Sequence, residues 1–336
     1  MNPRERVWAT LRGQTTDRPP ISFWGHFYHR ESSAEDLVAA TLEFHARYRW
    51  DWVKLNPRKH YHVEPWGVSY RYSGIPDDKP VLDRWPIQSG DDWAKIAEVA
   101  HDQGALGEQL DAVRLLRARL PADVPMIQTV FTPFAILGEM TRQPQDLTQH
   151  LSTHPALVRR ALEAVTLTFE RYVRAVLAAG AEGIYLATTD WASRDLMSPD
   201  AYREWARPGD LRLLAAASGA PFNVLHVCKR NNLLPELVDY PAAAFSWAAG
   251  DVGNLSLREG LERLRGAVMG GIAHEGALLR DDPDAVSAEL KRAYEQTGGR
   301  RWLAAPSCSI LPATPPGQLE RLRADIERIP TLGAVS

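Results

Sequence analysis

Eight short apolar runs, rich in β-branched and aromatic residues, alternate with helix-patterned stretches along this chain, and that alternation constrains its fold most. The predicted strands are Ile21–Trp24, Trp52–Asn56, Met126–Phe131, Gly183–Thr188, Phe222–Val227, Ala243–Trp247, Ala267–Ile272 and Trp302–Pro306. Strands alternating with helices imply a parallel sheet, and eight is the number that closes a barrel. The predicted helices are Ala34–Tyr48, Ala105–Leu120, Pro155–Ala179, Pro199–Ala217, Leu233–Val238, Leu257–Leu264, Asp284–Gln296 and Pro315–Arg328. Ser198-Pro199, Asp282-Pro283 and Thr314-Pro315 each set a capping side chain before a proline suited to the first helical position. Gly180 and Gly298 fall where helices should stop.

The rival architecture is a doubly wound open sheet, which usually carries a glycine-rich phosphate loop after its first strand. Here Ile21–Trp24 runs into Gly25-His26-Phe27 instead. The expectation is a single (β/α)8 barrel over residues 1–336, led by an N-terminal helix and lead-in over 1–20. A hairpin is expected after strand two, in His60–Tyr72. A length of 336 residues suits a barrel with insertions, and neither a linker nor a solenoid repeat divides it.

The charge balance, 39 basic against 42 acidic residues spread along the chain, argues against nucleic acid as a partner. No run approaches the ~20 apolar residues of a membrane span. The amphipathic start MNPRERVWATLRG lacks the apolar core of a signal peptide. Two cysteines, Cys228 and Cys308, do not make a disulfide scaffold. The expected setting is a reducing cytoplasm.

Catalytic groups of such barrels sit at the C-terminal ends of the strands. Those ends carry His26 and His29, then Asn56 and Arg58, Thr129 and Thr132, Asp190 and Trp191, His226 and Cys228, Asp251, His274 and Glu275, and Cys308. His226 and Cys228 are two apart on a strand, so they face the same way. With Cys308 they give three zinc ligands, which leaves a fourth position for water or substrate. A thiol at that position would be held as thiolate. The bland alternative is that both cysteines are plain core. Asp190, His274 and Glu275 are candidate catalytic groups, and His26, Asn56, Trp191 and Lys229 candidate substrate contacts. Lys229 and Arg230 could equally be ordinary surface charge. His45, His101, His150 and His154 read as surface histidines, and His60 and His62 as possible mouth residues. Trp24, Phe27, Tyr28, Trp66, Trp191 and Trp247 suggest an aromatic-walled cavity, or ordinary packing.

Several segments resemble the uroporphyrinogen decarboxylase superfamily. They are Arg4-Glu5-Arg6-Val7, Leu11-Arg12-Gly13, Asp17-Arg18-Pro19-Pro20, Gly180–Ile184, Ser198–Tyr202 and Ile310–Pro316. The resemblance spans the chain and implies a TIM barrel. One branch, the cofactor-free decarboxylase, is marked by an Arg-Gln-Ala-Gly-Arg-Tyr segment after strand one and an aspartate after strand two. Here those positions read Gly25-His26-Phe27-Tyr28 and Asn56. The other branch, zinc-containing cobalamin-dependent methyltransferases, is marked by HxC and a later cysteine ahead of Ile-x-Pro-x-Thr-Pro. His226-Val227-Cys228 and Cys308-Ser309-Ile310-Leu311-Pro312-Ala313-Thr314-Pro315 match it. That likeness implies one zinc per chain, a small-molecule thiol, a corrinoid that is free or held on a partner protein, and a homodimer. Lys229 departs from it, since a glycine usually follows the HxC cysteine. A metal-free decarboxylase or lyase using Asp190, Arg30 and Arg58 is the alternative, and a non-catalytic corrinoid or tetrapyrrole binder a third. No Asp-x-His-x-x-Gly corrinoid-carrier stretch occurs.

Overall fold

A computed structural model describes residues 1–75, 77–280 and 282–329. Its strands are β1 (Val53–Leu55), β2 (Ser69–Arg71), β3 (Val81–Arg84), β4 (Met126–Phe131), β5 (Ile184–Ala187), β6 (Val224–Val227), β7 (Ala244–Trp247), β8 (Ala267–Ile272) and β9 (Trp302–Pro306). Its helices are α1 (Pro3–Leu11), α2 (Ala34–Tyr48), α3 (Gly104–Arg119), α4 (Pro133–Glu139), α5 (Pro144–Thr153), α6 (Pro155–Ala178), α7 (Pro199–Trp205), α8 (Arg207–Ala216), α9 (Leu257–Arg263), α10 (Pro283–Thr297) and α11 (Pro316–Ile326). Seven strands form one curled parallel sheet in the order β1-β4-β5-β6-β7-β8-β9. The architecture is TIM-barrel-like.

The first expected strand, Ile21–Trp24, is reduced to bridges. Ile21 pairs in parallel with Ala304, and Gly25 with Ile310. The Ile21 carbonyl also accepts from the Asp51 amide at 2.9 Å. This segment therefore touches both ends of the seven-stranded sheet. Buried Asp51 fixes it there, accepting from Arg6 (2.6 Å), Arg18 (2.7 Å) and the Ile21 amide (2.8 Å). The same carboxylate thus ties α1 to the sheet.

Side-chain alternation sorts each strand into two cores. Val53, Leu55, Met126, Val130, Leu186, Leu225, Val227 and Trp302 belong to the outer core with the helices. Trp52, Ile127, Tyr185, Val224, Ala244, Met269 and Leu303 belong to a separate inner cluster. His226 follows Val224 by two residues, so it shares the inner face.

Four expectations need correction. The antiparallel pair after β1 joins Ser69–Arg71 to Val81–Arg84, whereas residues 60–66 form turns and a 3-10 helix. The helix expected over Pro199–Ala217 is split at Ala206, because Pro208 lacks the amide hydrogen needed to continue α7. Leu233–Val238 supplies only the 3-10 turn Leu234–Glu236. Thr314 caps nothing. Pro315 takes the extended N-cap position of α11, and Pro316 begins the helix. Ser198 and Asp282 do cap α7 and α10, accepting from Ala201 and Ala285. Gly298 closes α10 at φ 58°. α4 and α5, between β4 and α6, had no counterpart in the sequence reading. Among the described residues no helix is long and apolar enough to cross a membrane.

Candidate metal centre

β6 carries His226 inward and ends one residue before Cys228. Cys308 lies two residues past β9. Although 80 residues of chain separate the two cysteines, the two sulfurs and one imidazole nitrogen all lie within 4.8 Å of one another.

The surrounding contacts settle how His226 is presented. Its Nδ1 meets Ser246 Oγ at 3.1 Å, and Ser246 stands directly opposite it on β7. Tyr185 on β5 meets the same hydroxyl at 3.1 Å and stacks on the imidazole, 5.0 Å between centroids. Nε2 is buried without a hydrogen-bond partner. An unpartnered buried nitrogen is costly unless something else takes its lone pair. With Nδ1–H donating to Ser246, the lone pair sits on Nε2, beside the two thiols. That is how metal-binding histidines are commonly held. One imidazole and two sulfurs suit zinc or another soft divalent ion. The neighbouring Cys228, with His226 also close, holds Cys308 well below the usual thiol range, and Cys308 together with burial pushes Cys228 well above it.

A cavity of about 510 Å³ opens over Cys228 and Cys308. Asp190, Lys229, Arg230, His274 and Glu275 also line it. Lys229 Nζ lies 3.2 Å from Asp190, and Arg230 3.3 Å from Asp195, so both cations are matched by acids. Burial opposes the Lys229 charge, but Asp190 outweighs it and the ammonium is held above its usual range. Lys229 has φ 68°, a left-handed backbone that favours glycine. The loop keeps its tight turn despite the lysine. His274 Nδ1 meets Ser307 Oγ at 2.7 Å, and the His274 amide donates to the same oxygen (2.9 Å).

Other expected site residues fall elsewhere. Trp191 is buried edge-on against Phe134, 5.1 Å between centroids, and does not line this cavity. Trp24, Trp66 and Trp247 are likewise buried in packing. His26 is held by Glu31 at 2.6 Å, and its burial lowers its basicity despite that carboxylate. Asn56 Oδ1 accepts from Lys54 Nζ (2.7 Å) and Ser309 Oγ (3.3 Å). Arg30 pairs with Glu43. Arg58 is committed to Glu64, Glu108 and Tyr70. His60 and His62 are buried, and both bind Glu139. His45, read as a surface residue, is buried in α2.

Sequence reasoning missed Ser246, Tyr185, Ser307 and Lys54. Ser246 and Lys54 did leave a signal, as polar residues in otherwise apolar strands. Burial pushes the Lys54 ammonium down to about 7, against the pull of Cys308 and Cys228.

Fold and site together define a TIM-barrel-like α/β protein with a potential metal-ligating triad at the strand ends. The chain belongs to the uroporphyrinogen decarboxylase (URO-D) family, whose profile matches residues 2–328. A methyltransferase and uroporphyrinogen decarboxylases are among its relatives. It is 27% identical over 252 residues to the methylcobamide:CoM methyltransferase MtaA of Methanosarcina barkeri, covering 75% of this chain and 71% of that one. It is 28% identical over 217 residues to a uroporphyrinogen decarboxylase of Geobacter sp. strain M21, covering 62% and 61%. A methyltransferase structure from Methanosarcina mazei superposes with a TM-score of 0.85, at 22% identity, over 98% of this chain and 99% of that one. At that identity the last likeness speaks for the fold.

Proposed function

We propose that this chain is a zinc-dependent methyl or alkyl transferase that moves a methyl group between a corrinoid and a small-molecule thiol. The observation that carries the reading is the unpartnered Nε2 of buried His226, grouped with two thiols below an open cavity. The kinship with a methylcobamide:CoM methyltransferase supports it. The chain is taken as a single domain over residues 1–336 with a complete (β/α)8 barrel, Ile21–Trp24 being its first strand. Residues 330–336 lie outside the described residues.

His226, Cys228 and Cys308 would hold the zinc, and Ser246 would fix the His226 tautomer. A bound zinc supplies Lewis acidity that keeps a thiol ionised near neutral pH. Asp190, His274, Glu275 and Lys229 shape the cavity the thiol enters. With its Nδ1–H donating to Ser307, His274 would take the thiol proton at Nε2 and pass it to solvent. A corrinoid would supply the activated methyl carbon: sulfur would bond to that carbon as the carbon–cobalt bond broke, its electron pair being left to the corrinoid. The corrinoid is free or carried by a partner protein.

The metal-free lyase reading fares worse, since the arginines it needs are already paired with acids. The test is thiol-dependent demethylation of methylcobalamin, followed by its visible spectrum. Activity should disappear on chelation and return with Zn²⁺. Full activity in the chelator-stripped protein would contradict the proposal.

A further inference from the structure

A buried lysine stands beside the His226–Cys228–Cys308 cluster with no acid to pair with among the described residues. Lys54 is 5% exposed. Lysine is seldom buried so deeply without a partner. Its neighbours Val53 and Leu55 belong to the outer core, so strand alternation turns Lys54 inward. Its ammonium lies over two rings of the inner cluster, 4.6 Å from the Tyr185 centroid and 5.2 Å from that of Trp24. Tyr185 in turn stacks on His226. Nζ also donates to Asn56 Oδ1, which accepts from Ser309, the residue after Cys308. One lysine is thus joined to both halves of the cluster.

A methionine would suit these apolar walls better than an ammonium. A charge kept at such a place has an electrostatic use or is a liability. We propose that Lys54 is a positioning residue whose ammonium is the counter-charge for an anionic sulfur ligand entering the His226–Cys228–Cys308 centre. The inference rests on the reading that these three residues hold a divalent metal. The charges then count simply. A dication, two thiolates and a neutral imidazole sum to zero. An incoming thiolate makes the centre an anion, and the nearby ammonium restores neutrality. On entry the S–H bond breaks, a sulfur–metal bond forms, and the proton leaves through His274 to solvent. The same ammonium repels the bare dication. Lys54 therefore weakens metal binding slightly while strengthening binding of the anion. A purely structural lysine would not act with opposite sign on the two.

The test uses the full chain loaded with Co²⁺, as wild type, Lys54→Met, Lys54→Gln and Lys54→Arg. Competition with a chelator reads Co²⁺ affinity. Sulfur-to-cobalt charge-transfer absorption reads the binding of 2-mercaptoethanol across pH. Lys54→Met should bind Co²⁺ at least as tightly as wild type. It should bind 2-mercaptoethanol about tenfold more weakly at pH 7, with the half-binding pH about one unit higher, as loss of a nearby opposite charge requires. Lys54→Gln keeps a donor for Asn56 without the charge and should repeat this result. Lys54→Arg should stay near wild type. Variants that lose metal and thiol affinity together, or change neither, would overturn the inference. Wild-type protein that takes up no Co²⁺, or takes it up equally as Cys308→Ala, overturns the metal reading and this inference with it. That result is visible before any Lys54 variant is compared.

Discussion

The hydroxyl of Ser246 is the contact that orients His226. It sits opposite the histidine on the neighbouring strand and meets Nδ1, while Nε2 is left without a hydrogen-bond partner. Outer partners of this kind typically contribute 10–100-fold in metal affinity. Ser246→Ala should therefore weaken Zn²⁺ binding by at least about tenfold in a chelator competition while leaving the fold intact. An unchanged affinity would mean that the hydroxyl does not set the tautomer. The convergence of His226, Cys228 and Cys308 was legible in the sequence, because HxC on a strand and a cysteine past another strand come together once the strands are parallel. The contacts of Ser246, Tyr185 and Lys54 were not, since they depend on which strand lies beside which, even though Ser246 and Lys54 stood out as polar residues in apolar strands. Trp191 shows the converse. Its position after a strand suggested the mouth, yet it packs under α4, and only the path of the loop decides that.

Among the elements, α1 and the Ile21 segment depend on one buried carboxylate. Asp51 binds two arginines and the Ile21 amide at 1% exposure of its side chain. Removing one partner of a buried ion pair costs about 3–5 kcal/mol because the other charge is stranded. Asp51→Ala should lower the denaturation free energy by about that much in urea titrations, with α1 detaching first in hydrogen exchange. α4 makes a second case. A methyl group at Gly138 would lie 2.1 Å from Trp191 Nε1. Gly138→Ala should cost about 1–3 kcal/mol through overpacking. A neutral result would show that Trp191 has room to move. The strands were the most legible elements, with β4, β8 and β9 found at their predicted bounds. Their apolar runs are short and bracketed by turns. The loops beyond the strand ends were least legible. α4 and α5 went unseen, and the hairpin was displaced along the chain, because residues over a barrel mouth pack against remote partners and follow no simple period.

Over the whole molecule, pH reaches stability through a buried acid far from the mouth. Asp210 is fully buried and accepts from Tyr202 (2.6 Å) and Tyr240 (3.0 Å). Burial raises its carboxyl to about 7, although both hydroxyls pull the other way. In the unfolded chain it would titrate near ~3.9. Between those values the native protein keeps a proton that the unfolded chain has lost, so this group's contribution falls as pH rises through that window. The slope is at most about 1.4 kcal/mol per pH unit. Asp210→Asn should flatten the profile of stability between pH 4 and 7. An unchanged profile would show that Asp210 ionises normally.

A metal bound only by the native state also stabilises it by mass action, so stripping it should lower the thermal midpoint. The most direct test of the account is metal content of purified protein by plasma mass spectrometry, for wild type and Cys308→Ala under reducing conditions. The account predicts about one zinc per chain in the wild type and its loss in the variant. No metal in the wild type even after Zn²⁺ is offered, or equal metal in both, would contradict the centre built on His226, Cys228 and Cys308.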